Sequence, residues 1–318
     1  MRTSYDKILV TGGCGFIGSH TVAELLTAGY ETWVLDDLST GTKANLAAIR
    51  DNEMLHFIRG SVSKIRTIDA VAKKVDAVVH LAAVISPFLS VKTPEITHRV
   101  NVTGTVNLLD ACRRNGVKHV VFASSSSVYG NTQGVRRIKE SQPTNPLTPY
   151  GASKLAGEKY CEAFCSTYGV GSVSLRYFNV YGERQSDNPY SGVIAIFAKK
   201  LMKGEKVTIF GSGKQTRDFV NVRDVAEANL RALEFQGKGH AFNIGTGVST
   251  SINQLYSLLA QTLQIRHVTP KRTAPRAGDI EHSCADTSMA KRFLGFRTRI
   301  ELKQGLGDLV NWLKSIER

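Results

Sequence analysis

The first eighteen residues constrain the fold more than any other stretch. A short apolar run at residues 7–10 enters Thr11-Gly12-Gly13-Cys14-Gly15-Phe16-Ile17-Gly18, and apolar Ile17, Val22, Leu25 and Leu26 then recur at helical spacing up to Gly29. This is a strand, a glycine turn and a helix. Glycines at 12, 15 and 18 permit a tight turn, approach of backbone N–H groups to a pyrophosphate at the helix N-terminus, and close helix–strand packing. A second apolar run at residues 32–35 ends in Asp36-Asp37, about 20 residues past the loop, where a carboxylate accepts hydrogen bonds from the adenosine ribose hydroxyls. An acid there disfavours the extra phosphate of NADP. The pattern predicts a βαβ unit that binds NAD.

Strand patterns recur at residues 55–58, 76–81, 119–123 and 172–176, with helical patterns at 40–50, 63–73, 95–115 and 150–168 between them. Such alternation predicts an α/β fold, a doubly wound parallel sheet of the Rossmann type closed by right-handed crossovers. Ligands of such sheets bind beyond the carboxyl ends of the strands. That edge collects the glycine loop, Asp36, Leu81-Ala82-Ala83, the serine run 124–127 and Asn179. After residue 180 the rhythm loosens. Helices are expected at 194–203, 222–235, 251–263, 287–294 and 302–316, and strands at 207–210 and 240–244. No repeat or low-complexity linker divides the chain. We expect an NAD-binding domain over residues 1–180, rejoined by 214–245, and a smaller α/β substrate lobe over 181–318.

Chemistry enters with Pro149-Tyr150-Gly151-Ala152-Ser153-Lys154. Pro149 suits a helix opening, Tyr150 falls in the first turn and Lys154 lies one turn later on the same face. A phenol titrates near ~10 and is a poor base at neutral pH unless an ammonium or the positive end of a helix stabilises the phenolate. Alone, the pair reads equally as an ordinary surface helix. The four serines 124–127 make either a polar turn or a site in which one hydroxyl bonds both the substrate and the phenol. Arg184, Arg217 and Arg276 stand beside glycine and proline, where a guanidinium either grips a diphosphate or is a surface charge.

Composition removes several classes. The net charge of +14 is spread along the chain without long basic runs, which favours an anionic small-molecule site over a nucleic-acid partner. Five cysteines, odd in number and without a Cys-x-x-Cys pair, read as reduced cytoplasmic thiols; no metal site is indicated. The apolar start breaks at once in glycines and is no signal peptide, and no stretch reaches the ~20 apolar residues of a membrane span.

Taken together, the glycine loop, Asp36-Asp37-Leu38-Ser39-Thr40-Gly41, His80-Leu81-Ala82-Ala83, Ser124-Ser125 with Val128-Tyr129-Gly130, Tyr150-Gly151-Ala152-Ser153-Lys154 and Leu175-Arg176-Tyr177-Phe178-Asn179-Val180-Tyr181-Gly182 resemble the extended short-chain dehydrogenases/reductases, and within them the UDP-sugar 4-epimerases, over essentially the whole length. The resemblance implies catalytic Ser125, Tyr150 and Lys154. It implies cofactor contacts at Gly12, Gly15, Phe16, Ile17, Asp36 to Gly41, Ser61, Val62, Leu81, Ala82, Ala83, Asn101, Ser124, Tyr177 and Phe178. UDP-sugar contacts are implied at Ser125, Ser126, Asn179, Val193, Thr208, Phe210, Arg217, Arg276, Asp279 and Ser283, together with a homodimer formed through helices 95–115 and 150–168. Three positions depart from the family pattern. Ser61 stands where an adenine-binding aspartate is usual, Ser126-Ser127 replace the Asp-Glu pair of the 4,6-dehydratases, and Ser186 replaces an arginine that holds a sugar carboxylate in UDP-glucuronate 4-epimerases. A small residue at Ser283 admits an N-acetyl group at C2. The competing expectations are a uronic-acid 4-epimerase or decarboxylating relative, and an NAD- or RNA-binding module without turnover.

Overall fold

The parallel sheet that positions everything else has seven strands: β1 (Lys7–Thr11), β2 (Glu31–Asp36), β3 (Leu55–Arg59), β4 (Ala77–His80), β5 (His119–Ser125), β6 (Gly171–Tyr177) and, last in its edge order, His240–Ile244. The computed structural model describes residues 5–132, 134–185, 192–265, 268–275 and 280–316. Beyond the first six strands the chain contributes β7 (Asn179–Tyr181), β8 (Thr208–Phe210), β9 (Thr216–Arg217), β10 (Phe219–Asn221), β11 (His240–Ile244), β12 (Thr250–Ser251), β13 (Lys271–Thr273) and β14 (His282–Ser283). The helices are α1 (Phe16–Thr27), α2 (Ile65–Ala72), α3 (Pro87–Lys92), α4 (Pro94–His98), α5 (Gly104–Asn115), α6 (Pro149–Tyr168), α7 (Val193–Met202), α8 (Val222–Glu234), α9 (Ile252–Thr262), α10 (Ser288–Phe293) and α11 (Leu302–Ile316).

The sheet order is β3-β2-β1-β4-β5-β6-β11, every pairing parallel. The chain winds outward from β1 to β3, then crosses back to β4, so the winding reverses between β1 and β4. That reversal opens a crevice at the carboxyl ends, beside Thr11 and His80. Strands covered on both faces must be apolar on both. Ile8 and Val10 accordingly pack with Val22 and Leu25 of α1 and Val225 and Leu233 of α8, whereas Leu9 packs with Ile68 of α2 and Leu108 and Leu109 of α5. A further core gathers Ile194 and Phe197 of α7, Leu255 and Leu259 of α9, Leu309 and Leu313 of α11, and Ile209 of β8.

Two expected helices take other forms. Residues 40–50 tighten into a 3-10 segment, Lys43–Ile49, capped by the Thr42 hydroxyl accepting from Ala44 N. The run 95–115 begins at Pro94 and is interrupted by a π turn, Arg99–Thr103, which carries Asn101. Strands of two or three residues, such as β9, β12 and β14, and the six-residue α3 are too short to leave a periodic trace in sequence.

Candidate active site

At the amino end of α1 the glycines act through contact rather than chemistry. Gly12 sits at φ +71°, and a Cβ at Gly18 would lie 2.1 Å from Gly12 O. The loop is tied to β2: Cys14 N donates to Asp36 Oδ2 at 2.9 Å and Leu38 N to Asp36 Oδ1 at 2.8 Å. Each Asp36 oxygen keeps a second lone pair for a ligand. Burial raises the Asp36 pKa, and those two backbone donors work against it. At Asp37 burial also acts upward, but hydrogen bonds from Ser39 and Ser61 outweigh it and hold the carboxyl below its ordinary value. Thr42 N and Asn45 Nδ2 both donate to Cys14 O, bringing the segment with Ser39, Thr40 and Gly41 against the glycine loop. Phe16 and Ile17 open α1. Val62 turns into the core against Gly104 and offers a ligand only its backbone.

A chain of hydrogen bonds runs from this loop to the tyrosine. Ala82 N donates to Thr11 Oγ1 at 3.2 Å, and Thr11 Oγ1 is 2.7 Å from His80 Nδ1. On the other side of the ring, Thr105 Oγ1 lies 3.0 Å from His80 Nε2 and donates to Asn101 O at 2.6 Å. Since the Thr105 proton is committed to Asn101, Nε2 is the protonated nitrogen and Nδ1 accepts from Thr11. Asn101 Nδ2 continues to Ser153 Oγ at 2.9 Å, and Ser153 Oγ donates to Tyr150 O at 2.7 Å. Asn101 also takes Val84 N at 2.7 Å, fixing the segment after Leu81-Ala82-Ala83. None of His80, Thr105 or Ser153 was marked by residue type; only the place of His80 beside Leu81-Ala82-Ala83 hinted at it.

Tyr150, Ser125 and Lys154 are all buried. Thr148 caps α6 by accepting from Gly151 N at 3.2 Å, Pro149 follows at the first helical position, and Tyr150 is thus held in the first turn. Ser125 closes β5 beside the Tyr150 phenol, where its hydroxyl acts to lower the Tyr150 pKa, and it donates to Ser127 Oγ at 3.1 Å. Ser126 and Ser127 open a 3-10 turn. Lys154 Nζ donates to Ala123 O at 2.8 Å, and burial lowers its pKa to about 8. The sequence led us to expect the ammonium to depress the Tyr150 pKa. Instead burial raises it, and the opposing influence comes from Ser125, because Nζ is turned to a strand carbonyl.

Three cofactor expectations find their side chains engaged elsewhere. The Ser124 hydroxyl donates to Glu158, which Arg176 grips through Nε at 2.9 Å and Nη2 at 2.7 Å. Tyr177 donates to Asn229 Oδ1 at 2.5 Å, Asn229 Nδ2 donates to Thr21 Oγ1 at 3.0 Å, and Phe178 packs with Val128, Tyr129 and Ala285.

On the far wall, β7 and β10 align Asn179 with Phe219, and Asn179 N and Nδ2 both donate to Asp218 O. Arg217 of β9 donates through Nη1 to Ile280 O at 2.6 Å, and the parallel β14 sets Ser283 directly opposite it. Ser283 is buried. Val193 starts α7, while Thr208 and Phe210 flank buried Ile209 in β8, paired with β13. Arg276, Asp279 and Ser186 lie outside the described residues. Arg184 is half-buried with positive φ, and its Nη1 is buried without a partner among the described residues, beside His20 of α1. Asp218, which sequence reasoning missed, is a fully buried carboxylate that takes Thr246 N and Oγ1, Gly247 N and Ala285 N.

A doubly wound parallel sheet with a glycine loop, an acid closing β2 and a Ser–Tyr–Lys set along one edge defines a dinucleotide-binding short-chain dehydrogenase/reductase fold. The chain belongs to the NAD dependent epimerase/dehydratase family, whose model matches residues 8–245. It is 38% identical to the UDP-glucose 4-epimerase of Mycolicibacterium smegmatis, over 97% of this chain and 99% of that protein. Among solved structures it is similar to a UDP-glucose 4-epimerase of Thermotoga maritima crystallised with UDP-glucose, at TM-score 0.93 and 38% identity, covering 98% of this chain and 100% of the other. It is similar as well to a UDP-N-acetylglucosamine 4-epimerase of Methanobrevibacter ruminantium in complex with UDP-N-acetylmuramic acid, at TM-score 0.93 and 35% identity over 99% and 100%.

Proposed function

We propose that the protein is a UDP-sugar 4-epimerase that interconverts UDP-glucose and UDP-galactose, and UDP-GlcNAc and UDP-GalNAc, with NAD in the N-terminal sheet. The observation that carries this reading is the buried Tyr150 phenol beside buried Ser125 at the sheet's carboxyl edge, with buried Lys154 one turn beyond. The residues fit the cofactor: glycines bring backbone N–H groups to the helix end, and Asp36 keeps lone pairs for ribose hydroxyls. Phe16, Ile17, Asp37, Leu81 to Ala83, Asn101 and Lys154 complete the pocket. NAD, when bound, supplies the acceptor and donor of hydride for C4 of the sugar.

The chain's own residues handle the proton and the orientation. Tyr150 takes the proton of the sugar 4-hydroxyl and returns one to the 4-oxygen after the sugar has turned about its diphosphate tether. Ser125 bridges that oxygen and the phenol. Asn179, Arg217, Arg276 and Asp279 hold the nucleotide diphosphate end. Ser126 and Ser127 bring no acid–base pair to expel water, which argues against dehydration. Ser283, small and opposite Arg217, leaves room for an N-acetyl group, consistent with the Methanobrevibacter relative.

Residues 1–180 with 214–245 form the cofactor domain in this reading, and the remainder the substrate lobe. Exposed Ile85, Phe88, Val91, Ile96 and Tyr160 on and beside α3, α4 and α6 support a homodimer through those helices, which sedimentation will test. Five unpaired thiols favour the cytoplasm. The deciding experiment incubates the purified protein with UDP-galactose and with UDP-GalNAc and separates the 4-epimers, with Tyr150→Phe as control. Conversion of both by the wild type alone is expected. Conversion of neither, with NAD bound, would turn the reading to uronic-acid sugars and then to a binding module.

A further inference from the structure

Beyond the carboxyl end of β11 lies a cavity of about 230 Å³ whose lining includes Thr246, Thr287, Lys291, Phe296, Arg297 and Thr298, none of them assigned to the site above. Two cations reach it by separate routes. Lys291 comes from α10, and Arg297 returns to the cavity after a turn at Gly295, whose φ is +63°. Among the described residues neither charge has an ion-pair or hydrogen-bond partner, and the hydroxyls of Thr287 and Thr298 are likewise uncommitted. Thr246 plays a different part: it donates to Asp218 Oδ1 at 2.7 Å and accepts from Val248 N at 3.0 Å, so it serves as fixed wall. The wall is close-packed there, since a Cβ at Gly245 would lie 2.7 Å from Asp218 Oδ2. A third cation stands close by, the Arg137 guanidinium carbon lying 4.0 Å from where a Cβ of Gly247 would be. The nearby carboxylate, Asp286, takes Ser288 N at 2.9 Å.

Cations and hydroxyl donors lining one recess are the chemistry that recognises a phosphoryl oxyanion. At this volume the recess is smaller than the roughly 300–1,000 Å³ pockets that enclose drug-sized ligands, so it suits phosphate or a phosphorylated monosaccharide rather than a nucleotide. We propose that this cavity is a second anion site, distinct in its residues from the Ser125–Tyr150–Lys154 set, which binds a phosphoryl dianion through Lys291, Arg297, Thr287 and Thr298.

The test is calorimetric titration of the NAD-loaded protein, saturated with UDP and in phosphate-free buffer of low ionic strength, with inorganic phosphate and with glucose 6-phosphate. The UDP block rests on the function proposed above; the variant locates the anion whether or not that reading holds. Wild type is expected to bind at least one of the two probes. Tighter binding of phosphate would assign the site to the free ion, and tighter binding of the hexose phosphate to a phosphorylated sugar. Lys291→Gln combined with Arg297→Gln, both exposed positions, should weaken binding at least ~10-fold while melting temperature and UDP affinity stay unchanged. Binding of neither probe by wild type, or equal binding by the double variant, overturns the proposal.

Discussion

In the proposed reaction Tyr150 is a base in a place that opposes ionisation. Burial raises its pKa, and the group acting the other way is the Ser125 hydroxyl, whose proton stabilises the phenolate more than the phenol. Ser125→Ala should therefore raise the Tyr150 pKa further and move the acid limb of kcat/KM to higher pH. A hydrogen bond to a charged group contributes ~1.5–3 kcal/mol, so the rate at pH 7 should fall about 10- to 100-fold. A pH–rate profile of the variant checks this, and an unmoved limb would assign Ser125 to positioning alone. A second single-residue test lies in the glycine loop. Gly18→Ala places a Cβ 2.1 Å from Gly12 O, a backbone atom that has nowhere to go. Equilibrium dialysis should show NAD affinity reduced at least ~10-fold, since the turn that aims the N–H groups must open. Both residues were legible in the sequence because glycine spacing and a tyrosine one turn from a lysine carry their chemistry in residue type. The partner network was not: Thr11, His80 and Thr105 are ordinary residues until β1, β4 and α5 bring them together.

Helix α6 holds Tyr150 over the sheet, and beside its apolar packing against Phe122 the means is a buried ion pair. Glu158 is fully buried, receives the Ser124 hydroxyl and is gripped twice by Arg176 of β6, which also donates to Tyr129 OH at 2.9 Å. Tyr129 in turn donates to Asn243 Oδ1 of β11 at 2.6 Å. The network locks α6, β5, β6 and β11 in one register. Glu158→Gln leaves the guanidinium without its counter-charge, and breaking a buried pair typically costs about 3–5 kcal/mol. Urea unfolding should register a loss of that size, whereas Glu158→Gln stability within ~1 kcal/mol of wild type would mean water reaches the pair. Elements of this layer were readable from periodicity, because strands of four to seven apolar residues and a twenty-residue helix leave strong patterns. On the far wall Arg217 was marked by residue type as one of two alternatives, and Ser283 was readable only through family resemblance. Arg217 and Ser283 face one another across two strands of two residues each, a pairing fixed by tertiary contact and invisible to any window.

At the scale of the molecule, three buried imidazoles among the described residues join segments far apart in the chain. His20 of α1 bonds Glu183 O at 3.1 Å, His80 links Thr11 to Thr105, and His119 of β5 bonds Ala232 O of α8 at 3.0 Å. All three are held neutral. Burial, followed by the Arg184 charge, lowers His20 to about 4; burial and then Lys154 lower His80 to about 3; burial lowers His119 as well. Histidines with depressed folded pKa values bind fewer protons in the native state than in the unfolded chain, where they titrate near ~6.5. Their contribution is therefore complete above pH ~6.5 and is lost as pH falls, each at a slope of up to about 1.4 kcal/mol per pH unit. Buried Asp36, Glu140, Asp218 and Asp224 have raised pKa values and act in the opposite sense, so they subtract from the histidine slope where the two ranges meet. The histidine contribution is read between about pH 6.5 and pH 5 and isolated by its loss in a His variant. Urea unfolding free energies across that interval should fall with a slope approaching two protons from His20 and His80, with His119 adding in the same direction, and His20→Gln should remove about one proton from it. A flat response, or an unchanged slope in the variant, would mean that these rings are hydrated and charged rather than buried joints. The joint at His20 has the widest consequence, because it fastens the cofactor helix to the segment that leads from the sheet toward the substrate wall.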